Sequence, residues 1–257
     1  MRPEISAMVR HLTYPDLIDA ESTRKRANLR GFRDNVIFID HRELEVELKN
    51  AKEMRDGKTS SKENHFEAQM ILKCVRYLAQ QGYGSDKIVV ITPYLGQLKL
   101  LRDQLAREND PILNDIDKFD LLRAGILTDL GSKTSKPSLR ISTIDNYQGE
   151  ESDIILVSLT RSNNAHDIGF MAAPERLNVL LSRARDALIM IGNSETFINA
   201  RKGKEVWRKL FDLLKENGHV YEGFPVKCEK HPDRVALLCT PDAFESESPD
   251  GGCKEHW

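Results

Sequence analysis

The chain reads as an α/β protein with a mostly parallel sheet and helices on both faces. Two observations predict this. First, short and almost wholly apolar runs occur at residues 36–40, 87–92, 139–143, 154–159 and 187–191. A strand covered on both faces needs apolar side chains at successive positions, not alternate ones. Second, longer amphipathic segments separate those runs from residue 36 to residue 217. Strand–helix alternation of this kind specifies a parallel sheet buried between helical layers. There is no internal repeat and no low-complexity tract.

Residues 1–35 are polar and irregular, with one short helix expected near Glu4 to His11. Val36 to Asp40 (VIFID) is a buried strand by composition. Residues 41–61 are charged and poorly periodic, which predicts a surface loop. That loop contains Gly57-Lys58-Thr59. A phosphate-binding P-loop needs a second glycine five residues earlier, after a strand. The position holds Lys52, so the motif fails, and Gly131-Ser132-Lys133-Thr134 fails likewise. Ser60 and Glu63 have capping-box spacing, predicting a helix start near Lys62. Ala68, Ile71, Leu72, Val75, Leu78 and Ala79 form its apolar stripe. Cys74 beside them is read as packing. Gly82 and Gly84 end the helix.

Residues 87–92 (KIVVIT) form the next strand, closed by Pro93. Leu95, Leu98, Leu101 and Leu105 mark another helix. Residues 109–137 lack clear periodicity and read as an insertion or long loop. After the strand at 139–143 comes the polar turn Gln148-Gly149-Glu150-Glu151, then the apolar run from Ile154. A helix is expected from Glu175 through Arg185, feeding the last long apolar run. Residues 204–217 form a strongly amphipathic helix, with Val206, Trp207, Leu210, Phe211, Leu213 and Leu214 inward and Gly218 as its stop.

The formal net charge is −2 over 257 residues, so no global basic field recruits nucleic acid; a nucleic-acid site must be a local patch. Apolar content of 40% with 30% charged fits a soluble domain with a full core. No apolar run reaches the ~18–20 residues of a membrane helix, and the start MRPEISAMVRHL lacks a signal-peptide core. The expected location is therefore the nucleus or cytoplasm, neither secreted nor in a membrane. Three of the four cysteines fall in the last thirty residues. In a reducing compartment, Cys with nearby His suggests metal sooner than disulfides.

Ligands of open parallel sheets collect beyond the carboxyl ends of the strands. The loops at 92–97, 142–153 and 160–174 and the start of the helix at 175 are the candidates. On an ideal helix Arg176 and Arg183 lie about 20° off one line, and Arg185 about 200° from Arg183. A guanidinium beside a packed stripe suits a fixed anion such as phosphate. A solvated salt-bridge face has the same spacing. Gly149 allows positive φ or close backbone approach, although a plain turn would too.

The order of these segments adds to the residue-level reading. ITPYLGQ (91–97), STIDNYQGEESDIILVSLTRSN (142–163) and RLNVLLSRARDALIMIGN (176–193) resemble three ordered motifs of the second RecA-like domain of superfamily 1 helicases. The likeness is to the group containing the nonsense-mediated-decay helicase, and it covers about the first two hundred residues. Met1-Arg2-Pro3-Glu4-Ile5-Ser6 looks like the tail of a further family motif, whose preceding γ-phosphate-binding arginine is absent. The resemblance implies a P-loop NTPase-like fold without its own P-loop. It implies that Arg183 contacts the γ-phosphate, and that Gln148, Gly149 and Glu151 line the nucleotide at an inter-domain cleft. Thr92, Pro93, Ser142 and Thr143 would follow the backbone of single-stranded RNA or DNA. ATP and Mg²⁺ would need a first RecA-like domain supplying the P-loop lysine and magnesium ligands. The chain alone is thus expected neither to hydrolyse ATP nor to unwind, and to bind nucleotide and strand weakly. A piece of a longer protein, or a truncated gene model, is the expectation.

The tail extends the likeness. GFPVKCEKHPD (223–233), PDAF and SPDGGC resemble the junction between helicase core and zinc-finger array in NF-X-type zinc-finger helicases. That resemblance implies residues 1–222 as the helicase domain and 223–257 as the start of a zinc-finger region. It also implies a setting in RNA silencing, heterochromatin assembly or antiviral defence, with RNA-silencing or RNA-decay proteins as partners. Cys228-x-x-His231 and Cys253-x-x-His256 have zinc-type pair spacing, and Cys239 is a fifth candidate where zinc takes four ligands. Bound Zn²⁺ and an incomplete array both remain open. So do a motor part and a non-catalytic RNA- or protein-binding module derived from one.

Overall fold

The computed structural model describes residues 1–48, 61–107, 139–227 and 234–246. Its centre is a six-stranded sheet in the order β5-β4-β6-β7-β1-β8. The strands are β1 (Val36–Asp40), β4 (Ile88–Thr92), β5 (Arg140–Thr143), β6 (Ser152–Ser158), β7 (Ala184–Gly192) and β8 (Val220–Tyr221). Every pairing in it is parallel. The α/β class and the two-sided cover follow from sequence as predicted.

Successive strand residues point to opposite faces, and both sets are buried. Ile37, Ile39, Val90, Leu156 and Ile189 pack against α3 (His65–Gln80) and α4 (Leu95–Arg107). Val36, Phe38, Ile91, Val157 and Met190 pack against α1 (Pro3–Leu12), α5 (Pro174–Leu181) and α7 (Lys204–Glu216). Trp207 and Phe211 of α7 are the anchors of the second face. Trp207 is fully buried and donates Nε1–H to the Met171 carbonyl at 3.0 Å, and Phe38 meets Phe211 edge-on at 4.8 Å. A buried indole needs such a partner for its N–H. No helix among the described residues is long and apolar enough to cross a membrane.

Several boundaries differ from the sequence reading. The helix expected near Lys62 begins at His65, with Asn64 as N-cap accepting from the Glu67 N–H at 3.1 Å. Ser61–Glu63 is instead strand β3, antiparallel to β2 (Val46–Leu48), so part of the expected surface loop is a ladder. Gln97 fixes the junction: its Oε1 accepts from Asn64 N at 2.7 Å and its Nε2 donates to Asn64 O at 2.9 Å. The expected insertion at 109–137 lies outside the described residues.

Residues past Gly223 form a hairpin of β9 (Phe224–Lys227) and β10 (Val235–Leu238), followed by α8 (Ala243–Ser246). Phe224, Val226 and Leu238 are buried in the α3 and α4 layer of the core. Between α5 and α7, the short helix α6 (Ser194–Ile198) closes the carboxyl end of β7. The remaining helix, α2 (Glu21–Arg24), is a single exposed turn.

Candidate functional site

The sequence-predicted residues fall on two opposite edges of the sheet. Thr92 and Thr143 end β4 and β5 side by side, on the carboxyl edge. Residues 144–151 then run back along the α1 and α5 face, anchored by buried Ile144 and Tyr147, to reach the start of β6. Gln148, Gly149 and Glu151 therefore sit at the amino edge, where Ser152 N donates to Arg183 O at 3.1 Å. The expectation that all these loops gather beyond the carboxyl ends is corrected: a connection between parallel strands must cross the sheet's full length.

At the amino edge, the helix expected to carry Arg183 and Arg185 stops at Leu181, capped by Ser182. Arg183 lies in the turn, and Arg185 is on β7. The helical angles anticipated for these arginines do not apply, because Ala184 already pairs with Ser152 in the sheet. Arg183 donates Nε–H to Val179 O at 2.9 Å, Nη2–H to Ser182 Oγ at 2.7 Å and Nη1–H to Glu150 O at 2.9 Å. A guanidinium has five N–H donors, so two are left over. Among the described residues Arg183 makes no ion pair. Its charge is placed, aimed and not neutralised.

The neighbouring charges are each accounted for. Glu150 is clasped by Arg140, whose guanidinium lies 4.9 Å over the Tyr147 ring. Glu151 accepts from Arg185 Nη2 at 2.7 Å, and that bond holds its carboxyl below the usual range. Gln148 is exposed and has no carboxylate competitor on its own loop that is not already paired. Gly149 has φ +88 with open space where a Cβ would stand, so backbone conformation alone demands glycine there. Arg2 N donates to Arg185 O at 2.9 Å, which brings the start of α1 to this same edge.

At the carboxyl edge, the strand-track candidates Thr92, Pro93, Ser142 and Thr143 are all buried. Thr92 Oγ1 meets Thr160 Oγ1 at 3.1 Å, Ser142 Oγ donates to Thr143 O at 3.3 Å, and Thr143 Oγ1 accepts from Asn146 N at 3.4 Å. These groups shape the loops from within. Sequence reasoning missed what organises them. Glu67, fully buried on α3, accepts at Oε2 from Ser158 Oγ at 2.6 Å and Thr160 N at 2.8 Å. Its Oε1 meets His41 Nε2 at 3.1 Å. His41 Nδ1 accepts from Glu43 N, so the ring proton donated to Glu67 sits on Nε2. Thr160 is held in the left-handed region at φ 69. Beside it, buried Arg161 is gripped by Glu45 at 3.0 Å and Asp167 at 3.1 Å, and stacks on Tyr94. An acid on the predicted apolar stripe of α3 was the available signal for Glu67.

Arg176, at the far end of α5 from Arg183, bonds Phe170 O at 3.1 Å and Asp145 at 3.4 Å. Of the five metal candidates, Cys228, His231, Cys253 and His256 lie outside the described residues. Cys239 is an exposed free thiol just past Leu238, which pairs with Phe224, whereas Lys227 pairs with Val235. Cys239 thus lies at the opposite end of the hairpin from Lys227. No group of three potential metal ligands is clustered among the described residues.

A family model described as an AAA domain matches residues 1–195, including both edges. The chain belongs to this family of superfamily 1 helicases. The helicase-family chain is 31% identical over 253 residues to the mouse NFX1-type zinc finger-containing protein 1, spanning 98% of its own length and 11% of that relative. It is 30% identical over 241 residues to the Schizosaccharomyces pombe helicase required for RNAi-mediated heterochromatin assembly 1, spanning 88% of itself and 21% of that protein. It is 30% identical over 174 residues to the Caenorhabditis elegans regulator of nonsense transcripts 1, at 68% and 14%. The helicase-family chain therefore spans between about a tenth and a fifth of the length of these curated relatives.

Proposed function

We propose that this chain is the second RecA-like lobe of an ATP-dependent RNA or DNA helicase, with Arg183 as its arginine finger. One observation carries the reading. Arg183 is fixed by two carbonyls and a hydroxyl, keeps two N–H donors, and makes no ion pair among the described residues. A structural arginine would be expected to end on a carboxylate, as Arg185 and Arg140 do on the same edge. A cation held this way is pre-organised for charge that arrives with a ligand.

ATP with Mg²⁺ supplies the phosphoryl group, and the P-loop and metal ligands come from another lobe. This chain's part is to present Arg183 to the γ-phosphate, with Gln148, Gly149 and Glu151 beside the nucleotide. The single strand follows the carboxyl edge, where the loops after Thr92 and Ser158 meet at Thr160, which Glu67 holds. The names of the relatives favour a setting in RNA silencing, heterochromatin assembly or RNA surveillance, in the nucleus or cytoplasm. The Cys/His tail belongs in this reading to a zinc-binding region.

Turnover measurement tests the assignment. The purified chain should show no ATP hydrolysis, and a two-lobe protein joining it to a P-loop domain should hydrolyse ATP in an Arg183-dependent way. Hydrolysis by the isolated chain, lost on Arg183→Ala, would overturn the division of labour between lobes.

A further inference from the structure

Beyond the Thr92 and Tyr94 loop the carboxyl edge opens into a cleft of about 450 Å³. One wall is the segment from Ala165 to Ala172 and the other is Ala200, Arg201 and Lys202. The size suits one nucleotide unit.

Three features make it a built cleft. Its walls are locked to the core: Tyr94 OH donates to Ile168 O at 2.9 Å, and Trp207 Nε1 donates to Met171 O at 3.0 Å. Gly203, at φ +76, packs so closely that a Cβ would stand 2.5 Å from Ala172 O. The cleft's acid is already engaged by internal partners, and its two cations are not. Asp167 is occupied by Gly169 N at 2.9 Å and Arg161 at 3.1 Å, whereas exposed Arg201 and Lys202 make no ion pair among the described residues. Finally, His166 sits at φ 50, a conformation costly outside glycine, and its shielded Nδ1 has no hydrogen-bond partner. Strain of that kind gathers at ligand-binding segments.

We propose that this cleft is a subsite for a phosphodiester of single-stranded nucleic acid, held by Arg201 and Lys202 and continuing the path that leaves the Thr92 loop at Tyr94. The chain's net charge of −2 gives no general reason for two unpaired cations to flank one cavity. A strand leaving Tyr94 meets the cleft directly, since Tyr94 is bonded to its wall. The proposal rests on reading the carboxyl edge as the nucleic-acid face.

The test is the salt dependence of binding. Affinity for a labelled oligouridine is measured by fluorescence anisotropy between about 50 and 200 mM salt. The chain is compared with R201A/K202A and the charge-keeping R201K/K202R. Each single-strand phosphate contact contributes about 0.7 to the slope of log K against log salt. The alanine pair should flatten the slope by about 1.4 and bind roughly tenfold more weakly at low salt, whereas the charge-keeping pair should retain the slope. A wild-type slope in the alanine pair, with its circular dichroism unchanged, overturns the subsite and leaves the helicase reading standing. Absence of any salt-dependent binding by the wild-type chain, both alone and joined to a P-loop lobe, overturns the carboxyl edge as the nucleic-acid face and the subsite with it. If inorganic phosphate shifts the nuclear magnetic resonance signals of the 165–172 wall in wild type only, while the strand slope is unchanged in the alanine pair, the cleft belongs to a free anion and the strand assignment is overturned.

Discussion

Arg183 donates from Nη1 to the carbonyl oxygen of Glu150 at 2.9 Å. That bond ties the exit of α5 to the loop holding Gln148, Gly149 and Glu151, two segments more than thirty residues apart in sequence. The loop's own carboxylates are turned to Arg140 and Arg185. The carbonyl therefore orients Arg183 without cancelling its charge, leaving two of its N–H donors without a partner among the described residues.

Arg183→Ala should lower ATP turnover of a two-lobe protein by about 10³–10⁵, the range typical of a finger arginine. Arg183→Lys should not restore it, because a point ammonium cannot reproduce three fixed bonds and still offer a fork. Arg185→Ala, which breaks only exposed ion pairs with Glu151 and Asp153, should leave turnover within a few-fold of wild type. Steady-state kinetics on the three variants decides. Equal losses for Arg183 and Arg185 would remove the special role of Arg183.

Glu67→Ala should destabilise the chain by about 3–5 kcal/mol, measured by urea unfolding. The substitution strands Thr160 N–H and the His41 ring proton in a buried site. Glu67→Gln should lose less, about 1–2 kcal/mol, because its carbonyl can still serve Thr160 N–H. Its amide then faces His41 Nε2, which can accept only if the proton moves to Nδ1 against Glu43 N–H. A Glu67→Ala variant as stable as wild type would show that the carboxylate does not hold the ends of β1 and β6 together.

The sheet was legible because burial on both faces writes itself as continuous apolar runs. Val36 to Asp40 needed no context to be read as a strand, and Trp207 and Gly218 marked the inward face and end of α7. What stayed hidden depended on partners distant in sequence. Ser61 to Glu63 reads as a helix start locally, yet pairs with Val46 to Leu48 and is pinned by Gln97. Arg183 and Arg185 read as helical because nothing in the sequence says that Ala184 must pair with Ser152. Gly149 gave away its turn, but its edge of the sheet depends on the path of residues 144–151. Glu67 stood on an apolar stripe, and only the ends of β1 and β6 explain why.

The two described cysteines should separate cleanly in alkylation. Cys74 is fully buried, and burial pushes its thiol well above the ordinary value, so little thiolate forms. Cys239 is exposed. Peptide mass spectrometry after a brief iodoacetamide pulse should find Cys239 modified and Cys74 intact, with Cys74 reacting only in urea. Prompt labelling of Cys74 in the native chain would contradict its place between α3 and the sheet.

His219 should make the fold sensitive to mild acid. Burial lowers its pKa below the ordinary 6.5, against the weaker opposing pull of Asp34 and Glu4. The folded state therefore disfavours the imidazolium. Well above pH 6.5 the ring is neutral in folded and unfolded chains alike and contributes no pH dependence. Below it the unfolded chain takes up the proton first, so unfolding is favoured increasingly until the folded-state pKa is passed, where the effect levels off. Carboxylates such as Glu151, whose folded pKa is lowered by Arg185, act in the same direction but at lower pH. His219→Gln removes the titrating group while keeping a polar side chain at the entry to β8. Urea midpoints measured from pH 7 down to about pH 5 should fall for the wild-type chain and stay nearly level for the variant. Parallel curves for the two proteins would mean that another group governs acid sensitivity in that window.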